Sequence, residues 1–178
     1  MNITDVGHLS GDQDFGDDKM EKEGGDVSEI MVLAKKYTDA FLADLKSLNI
    51  LEADILTPAT QHIPEQIELI KILIEKGFAY ETELAIYFNI AKVADYPKLT
   101  NQKLEDMKVG ARTDVILDKN KKHPADVALW FKLAGRYKNH ILQWDSPWDK
   151  GFPGWHIECS AMSKKYLGQP FDIHTGGI

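Results

Sequence analysis

The sequence predicts an α/β fold, and the order of its secondary-structure signals carries this prediction. A short strand signal is followed by two helical patterns and a polar insertion, and then by an alternation of strand, helix and strand. Such an order favours a parallel sheet with helices packed against it. The segments predicted to be its parallel strands are Asn2 to Asp5, Trp155 to Cys159 and Phe171 to His174.

The first long helix is predicted to begin at Asp26. Residues 9–26 are rich in Asp, Glu and Gly and show no apolar period, which indicates a loop. Asp26 followed by Glu29 gives a start similar to a capping box, in which two side chains bond the first backbone N–H groups. Apolar residues then recur at helical spacing, namely Ile30, Leu33, Ala34, Tyr37, Phe41 and Leu45.

A second helix follows, and after it the pattern changes to strands. Pro64 suits the first turn of this helix and Gly77 its end. Residues 78–80 and 84–90 are short, aromatic and β-branched, which predicts a hairpin. Residues 95–125 predict a weakly structured insertion with one short helix over Thr100 to Met107, and Val127 to Phe131 predict a strand returning toward the core.

The segment from Pro153 to Met162 is the most informative functional signal. It holds Cys159, the only cysteine, and a helical stretch from Ser160 to Leu167 begins directly behind it. A cysteine at the start of a helix lies near the positive end of the helix dipole, which favours the thiolate and therefore metal ligation or nucleophilic chemistry. A lone cysteine is more often a small buried apolar residue, so the motif around it carries the prediction.

A second functional signal lies near the end of the sequence. Phe171 to Gly177 is a short apolar segment that ends in a histidine, a threonine and two glycines. This pattern places polar groups and closely approaching backbone at the carboxyl end of a strand, where α/β folds bind ligands.

Composition narrows the classes of function. The net charge of −7 argues against a stand-alone nucleic-acid-binding protein, which would carry a basic face. A single cysteine rules out an internal disulfide and is consistent with the reducing cytoplasm. No apolar run is long enough to cross a bilayer, so no membrane association is predicted.

Seven motifs resemble those of one enzyme family. They are Asn2 to Val6, Asp18 to Met20, the helical set Tyr37, Phe41 and Asp44-Leu45, Ala59 to Ile63, Gly77 to Tyr80, Asp126 to Trp130 and the stretch from Trp144 to Gly177. Together they resemble the catalytic domain of the cysteinyl-tRNA synthetases, a family of class I aminoacyl-tRNA synthetases. The resemblance implies a Rossmann-like nucleotide-binding fold in residues 1–80, a connective insertion over roughly residues 81–145, and a return to the catalytic domain in residues 146–178.

Other motifs of this family do not occur in the chain. The sequence contains neither a His-Ile-Gly-His signature nor a Lys-Met-Ser-Lys-Ser loop, and it has no second cysteine. We therefore expect an internal fragment of the catalytic domain, with its amino-terminal and carboxyl-terminal parts missing, that does not aminoacylate tRNA alone. Because a strand–helix unit of the sheet would be missing, we also expect self-association or low stability.

The resemblance also implies the chemistry and its participants. Enzymes of the family activate cysteine with ATP and Mg²⁺ to cysteinyl-adenylate and transfer it to tRNA(Cys). Cys159 would be one of the four ligands of a zinc ion that binds the substrate thiolate, because thiolate outcompetes hydroxyl at this metal. Thr4 and Trp155 would line the cysteine site, although tryptophan is usually a core residue.

The adenylate would be bound by His174, Gly176 and Gly177, with Thr175 in place of a glycine that is usual in the family. No residue is assigned a catalytic proton transfer. Glu158 is rejected as a general base, because adenylate formation needs electrostatic stabilisation more than proton abstraction, and because a strand would point it away from Cys159. Asp5 is explained equally well, without a role in the site, as a structural cap for the loop that follows it.

Two other functions remain open at this point. A ligase that joins cysteine to an amino sugar-inositol in mycothiol synthesis shares the adenylation site but uses no tRNA. A non-catalytic, truncated paralogue that binds a partner would keep the fold without the activity.

Overall fold

The computed structural model describes residues 1–6, 18, 21, 23, 25–98 and 118–175. Within these residues, strand β1 is followed by helix α1, strand β2, a short 3-10 helix, helix α2, four further strands and helix α3. Their bounds are β1 Asn2–Ile3, α1 Val27–Ser47, β2 Thr57–Pro58, the 3-10 helix Ala59–His62, α2 Ile63–Glu75, β3 Ala79–Glu81, β4 Ala85–Phe88, β5 Val127–Lys132, β6 Gly151–Pro153 and α3 Ile157–Leu167. The α/β class is confirmed.

Both long helices are confirmed together with the signals that predicted them. Asp26 is the N-cap of α1, and its Oδ1 accepts a hydrogen bond from the backbone N–H of Glu29 at 2.9 Å. The Glu29 carboxylate accepts in return from the N–H of Gly25, one residue before the cap. Pro64 lies in the first turn of α2, and Gly77 follows the helix with a φ of +74°, in the left-handed region that favours glycine.

The strands form two separate sheets. β1 pairs in parallel with β2, with Asn2 opposite Thr57 and Ile3 opposite Pro58. The remaining strands form an antiparallel sheet in the order β3-β4-β5-β6, which confirms the hairpin and the strand near residues 127–131. A register shift between Ile86 and Tyr87 turns both Leu129 and Trp130 into the core on the helical side of this sheet.

Two of the three strands expected to form the parallel sheet are absent. Residues 155–159 form a turn followed by the start of α3, and residues 171–174 form no strand. The short apolar runs were ambiguous, because periodicity over four or five residues does not separate a strand from a buried helical turn. Ile157 continues the apolar face of α3, whereas Ile173 is 80% exposed and is not part of the core.

The helical side of the antiparallel sheet holds the main core. Residues from β1 through α3 meet in it, and its buried members include Val6, Ala59, Ile63, Ile70, Ile86, Leu129, Trp130, Ile157 and Met162. The end of β1, the 3-10 helix, α2 and α3 are therefore fixed relative to one another. No helix in the described parts of the chain is long and apolar enough to cross a membrane.

The predicted division at residues 80/81 and 145/146 stays a prediction. The antiparallel sheet runs from Ala79 to Pro153 and so crosses both limits. The short helix predicted over residues 100–107 lies outside the described residues, as does most of the acidic loop.

Candidate functional site

The approach to α3 is built by close packing of β6 on β5. A Cβ atom added to Gly154 would lie 2.0 Å from the carbonyl oxygen of Ala128, and one added to Gly151 would lie 1.9 Å from that of Phe131. Only glycine fits at these two positions. The chain then turns at Trp155 and His156, where His156 has a φ of +73°, and α3 begins at Ile157.

Cys159 lies in the first turn of α3 and is partly buried. Burial raises the pKa of its thiol above the ordinary value, and the negative charge of the neighbouring Glu158 adds to this effect. Desolvation by burial opposes the charged form and so acts against the effect expected of the helix start.

The Asn2 side chain links two of the predicted site residues. Its amide nitrogen donates to Thr4 Oγ1 at 3.1 Å and to Cys159 Sγ at 3.4 Å. Thr4 and Cys159 are therefore neighbours of one side chain although they are far apart in sequence. Asn2 stands in the sequence only as part of a motif, and its position two residues before Thr4 is the signal that could have singled it out.

The end of the β1 segment is anchored by Asp5. Its carboxylate accepts from the backbone N–H of Thr60 at 2.8 Å and from the Thr60 hydroxyl at 2.6 Å. Asp5 thus acts as a structural cap on the 3-10 helix. His62, which is buried, contacts the Pro58 carbonyl through Nδ1 at 2.7 Å and the Tyr166 hydroxyl of α3 through Nε2 at 2.9 Å, and so joins this helix to α3.

Trp155 and His174 both interact with His156. The Trp155 ring, 36% exposed, meets the His156 ring edge to face with centroids 5.6 Å apart. Burial lowers the pKa of His156, and the nearby His174 lowers it further. His174 itself is exposed, and Gly176 and Gly177 lie outside the described residues.

A groove of about 400 Å³ opens between the β1 segment and α1. Asn2, Thr4 and Asp5 supply its polar side, and Tyr37 and Phe41 of α1 supply aromatic surface. These rings are 56% and 43% exposed. The groove therefore offers a polar end beside Thr4 and an apolar wall, an arrangement suited to a small molecule with both characters.

The described residues contain no group of three or more His, Cys, Asp or Glu side chains able to hold a metal. A protein zinc site needs three or four such ligands. Cys159 is chemically suited to be one of them, but the described part of the chain does not form a zinc site by itself.

Glu158 lies inside the protein rather than on a strand face opposite Cys159. It is in the first turn of α3 and only 2% exposed, so the geometric reason given for rejecting it was wrong. Burial raises the pKa of its carboxyl to about 7. A side chain so buried does not reach a substrate, and it remains an unsuitable general base.

The whole chain has counterparts of known identity. Residues 3–178 match the family described as the catalytic domain of class I (C) tRNA synthetases. The chain is 49% identical to the cysteine–tRNA ligase of Treponema denticola over an alignment of 179 positions, which covers 100% of this chain and 36% of the relative. It is also 49% identical to that of Deinococcus radiodurans over 99% of the chain and 35% of the relative, and 46% identical to one from Thermus thermophilus over 99% and 36%.

These relatives are therefore nearly three times as long as the chain itself. The alignment with the Treponema denticola ligase covers every element that builds the groove, the Asn2 bridge and the start of α3. The chain belongs to the family of class I (C) tRNA synthetase catalytic domains, and the relatives to which it is similar are cysteine–tRNA ligases.

Proposed function

We propose that this chain supplies the cysteine-recognising part of a cysteine–tRNA ligase. The observation that carries the proposal is the contact of Asn2 with both Thr4 and Cys159, with Trp155 in the turn just before the helix that carries Cys159. The family match and the ligase relatives support the same activity. Cysteine, ATP with Mg²⁺, and tRNA(Cys) would be the substrates and partners, and the cytoplasm the compartment.

The reaction has two steps. An oxygen of the cysteine carboxylate attacks the α-phosphorus of ATP, and pyrophosphate leaves. The terminal ribose hydroxyl of tRNA(Cys) then takes the cysteinyl group and AMP leaves. The chain's residues would bind and orient: Thr4 and Trp155 would line the cysteine site, and His174 with Gly176 and Gly177 would approach the adenylate, because backbone can come close to a ligand at glycine.

Cys159 would supply one ligand of a zinc ion whose other ligands lie outside the described residues. When bound, zinc would favour a thiolate over a hydroxyl group, which separates cysteine from serine far better than an apolar pocket does. The chemical character of the Cys159 side chain and its partial exposure support this assignment.

A segment exchange tests the proposal. Residues 1–178 replace the matching 179-residue segment of the Treponema denticola ligase, and cysteine-dependent exchange of pyrophosphate into ATP is measured. We expect the chimera to activate cysteine and to charge tRNA(Cys), and the 178-residue chain alone to do neither. A folded chimera that binds ATP but does not activate cysteine would contradict the proposal and favour a non-catalytic paralogue.

A further inference from the structure

The Asn2 amide is placed to hold two functional groups at once. Its nitrogen lies 3.1 Å from Thr4 Oγ1 and 3.4 Å from Cys159 Sγ. A primary amide carries two N–H hydrogens, so both bonds form simultaneously. The hydroxyl belongs to the segment that follows β1 and the thiol belongs to α3, so the amide joins two elements that are distant in sequence.

The backbone that carries the amide is fixed on both sides. Asn2 and Thr4 are two residues apart and share one face of an extended segment. Parallel pairing sets Asn2 opposite Thr57 on β2, and Asp5 binds Thr60 immediately beyond. The position of the amide is therefore determined by the fold rather than by its two weak bonds.

Stability alone gives little reason for this bridge. Asn2 is exposed, and its amide could bond to water instead. A thiol sulfur is a weak acceptor, and a hydrogen bond of this kind adds only about 1 kcal/mol or less to stability. What the bridge fixes is the distance and direction between the hydroxyl and the thiol.

We propose that Asn2 is a positioning residue that holds the Thr4 hydroxyl and the Cys159 thiol at the distance and direction that binding of the cysteine substrate requires. The inference rests on the proposed function, because it gives Thr4 and Cys159 the roles stated above. Asn2 does not touch the reacting atoms; it acts through these two neighbours.

The bridge itself is tested without activity. In the ¹⁵N-labelled 178-residue chain, we expect Thr4→Val to shift one side-chain amide proton of Asn2 and Cys159→Ala to shift the other. The side-chain amide of Asn120, which lies in an exposed turn, is the internal control and keeps its position. If the chemical shifts of the Asn2 side-chain amide protons stay the same in both variants, the inference is wrong.

Its role is tested in the chimera with the isosteric substitution Asn2→Asp, which keeps the shape and removes both N–H donors. Losing a bond of about 1 kcal/mol predicts a KM for cysteine that is higher by about fivefold, with the KM for ATP unchanged. In a Thr4→Val background, the same substitution should have a smaller effect, because the two residues act together. Asn120→Asp is the matched control and leaves both constants unchanged.

The two hypotheses fail in different ways. An unsubstituted chimera that does not activate cysteine defeats the proposed function. An active chimera in which Asn2→Asp leaves the KM for cysteine unchanged, or raises the KM for ATP equally, defeats the role of Asn2 alone.

Discussion

The direction of the Glu158 side chain, next to Cys159, depends on whether this segment forms a strand or a helix. On a strand it would lie on the face opposite Cys159, whereas on α3 it points into the protein and is 2% exposed. Its Oε1 is buried without a hydrogen-bond partner. The motif around Cys159 could be recognised from sequence, but the direction of each side chain in it could not.

A pH dependence of stability follows from this burial. The folded pKa of Glu158 is about 7 and its ordinary value is 4.5, so between these values the folded chain holds more protons than the unfolded chain. Stability should fall as the pH rises through this window, by about 3 kcal/mol at 1.36 kcal/mol per pKa unit. Urea titrations of the metal-free chain at several pH values measure the change.

The substitution Glu158→Gln should flatten this profile and make the chain more stable than the unsubstituted one at pH 8. Glu75→Gln, on the exposed surface of α2, controls for the loss of one negative charge. Equal slopes for the unsubstituted chain and Glu158→Gln would show that Glu158 does not cause the effect.

At the scale of elements, the parts defined by local signals could be predicted and those defined by partners could not. Asp26, Pro64 and Gly77 predict the ends of helices α1 and α2, because capping residues and helical periodicity are local features of the sequence. No sequence pattern predicts the parallel pairing of β1 with Thr57–Pro58, because a strand of two residues is too short to show a periodicity. The strand predicted over Trp155 to Cys159 was wrong for a similar reason, because so short an apolar run fits a helical turn equally well.

The two glycines before α3 allow this boundary to be tested. Gly154→Ala would push the new Cβ against the Ala128 carbonyl and should destabilise the chain by about 2 kcal/mol, the usual cost of overpacking. Because α3 would shift at its start, the alkylation rate of Cys159, the only thiol, should change as well.

Gly168→Ala, just after the other end of α3, is the matched control for Gly154→Ala. Nothing lies within 4 Å of its added Cβ, so only backbone strain of about 1 kcal/mol is expected, with no change at Cys159. Similar effects of both substitutions on the thiol would rule out the close approach at Gly154 as their cause.

At the scale of the whole molecule, α1 carries several of the exposed large apolar side chains of the described residues. Tyr37 and Phe41 are largely exposed, and Leu48 and Leu51 extend the apolar surface beyond the helix. An apolar surface of this kind favours association. The expected self-association rested on an incomplete sheet; the exposed side of α1 gives it a more specific location.

We expect the 178-residue chain to self-associate as its concentration rises, and Tyr37→Glu with Phe41→Glu to shift it toward the monomer. Sedimentation velocity over a range of concentrations measures this. Ser28→Glu, a substitution on the exposed first turn of the same helix, should leave the association unchanged. A chain that is monomeric at every concentration would contradict the expectation.

Substitution of Cys159 in the segment-exchange chimera tests most directly whether Cys159 is a zinc ligand of the cysteine site. Cys159→Ser should lose bound zinc and raise the KM for cysteine while the KM for ATP stays the same, because an alcohol is a poor substitute for a thiolate ligand. His174→Ala should show the reverse, with zinc retained and adenylate formation impaired. A Cys159→Ser chimera that keeps stoichiometric zinc and activates cysteine normally would show that Cys159 is only a packing residue.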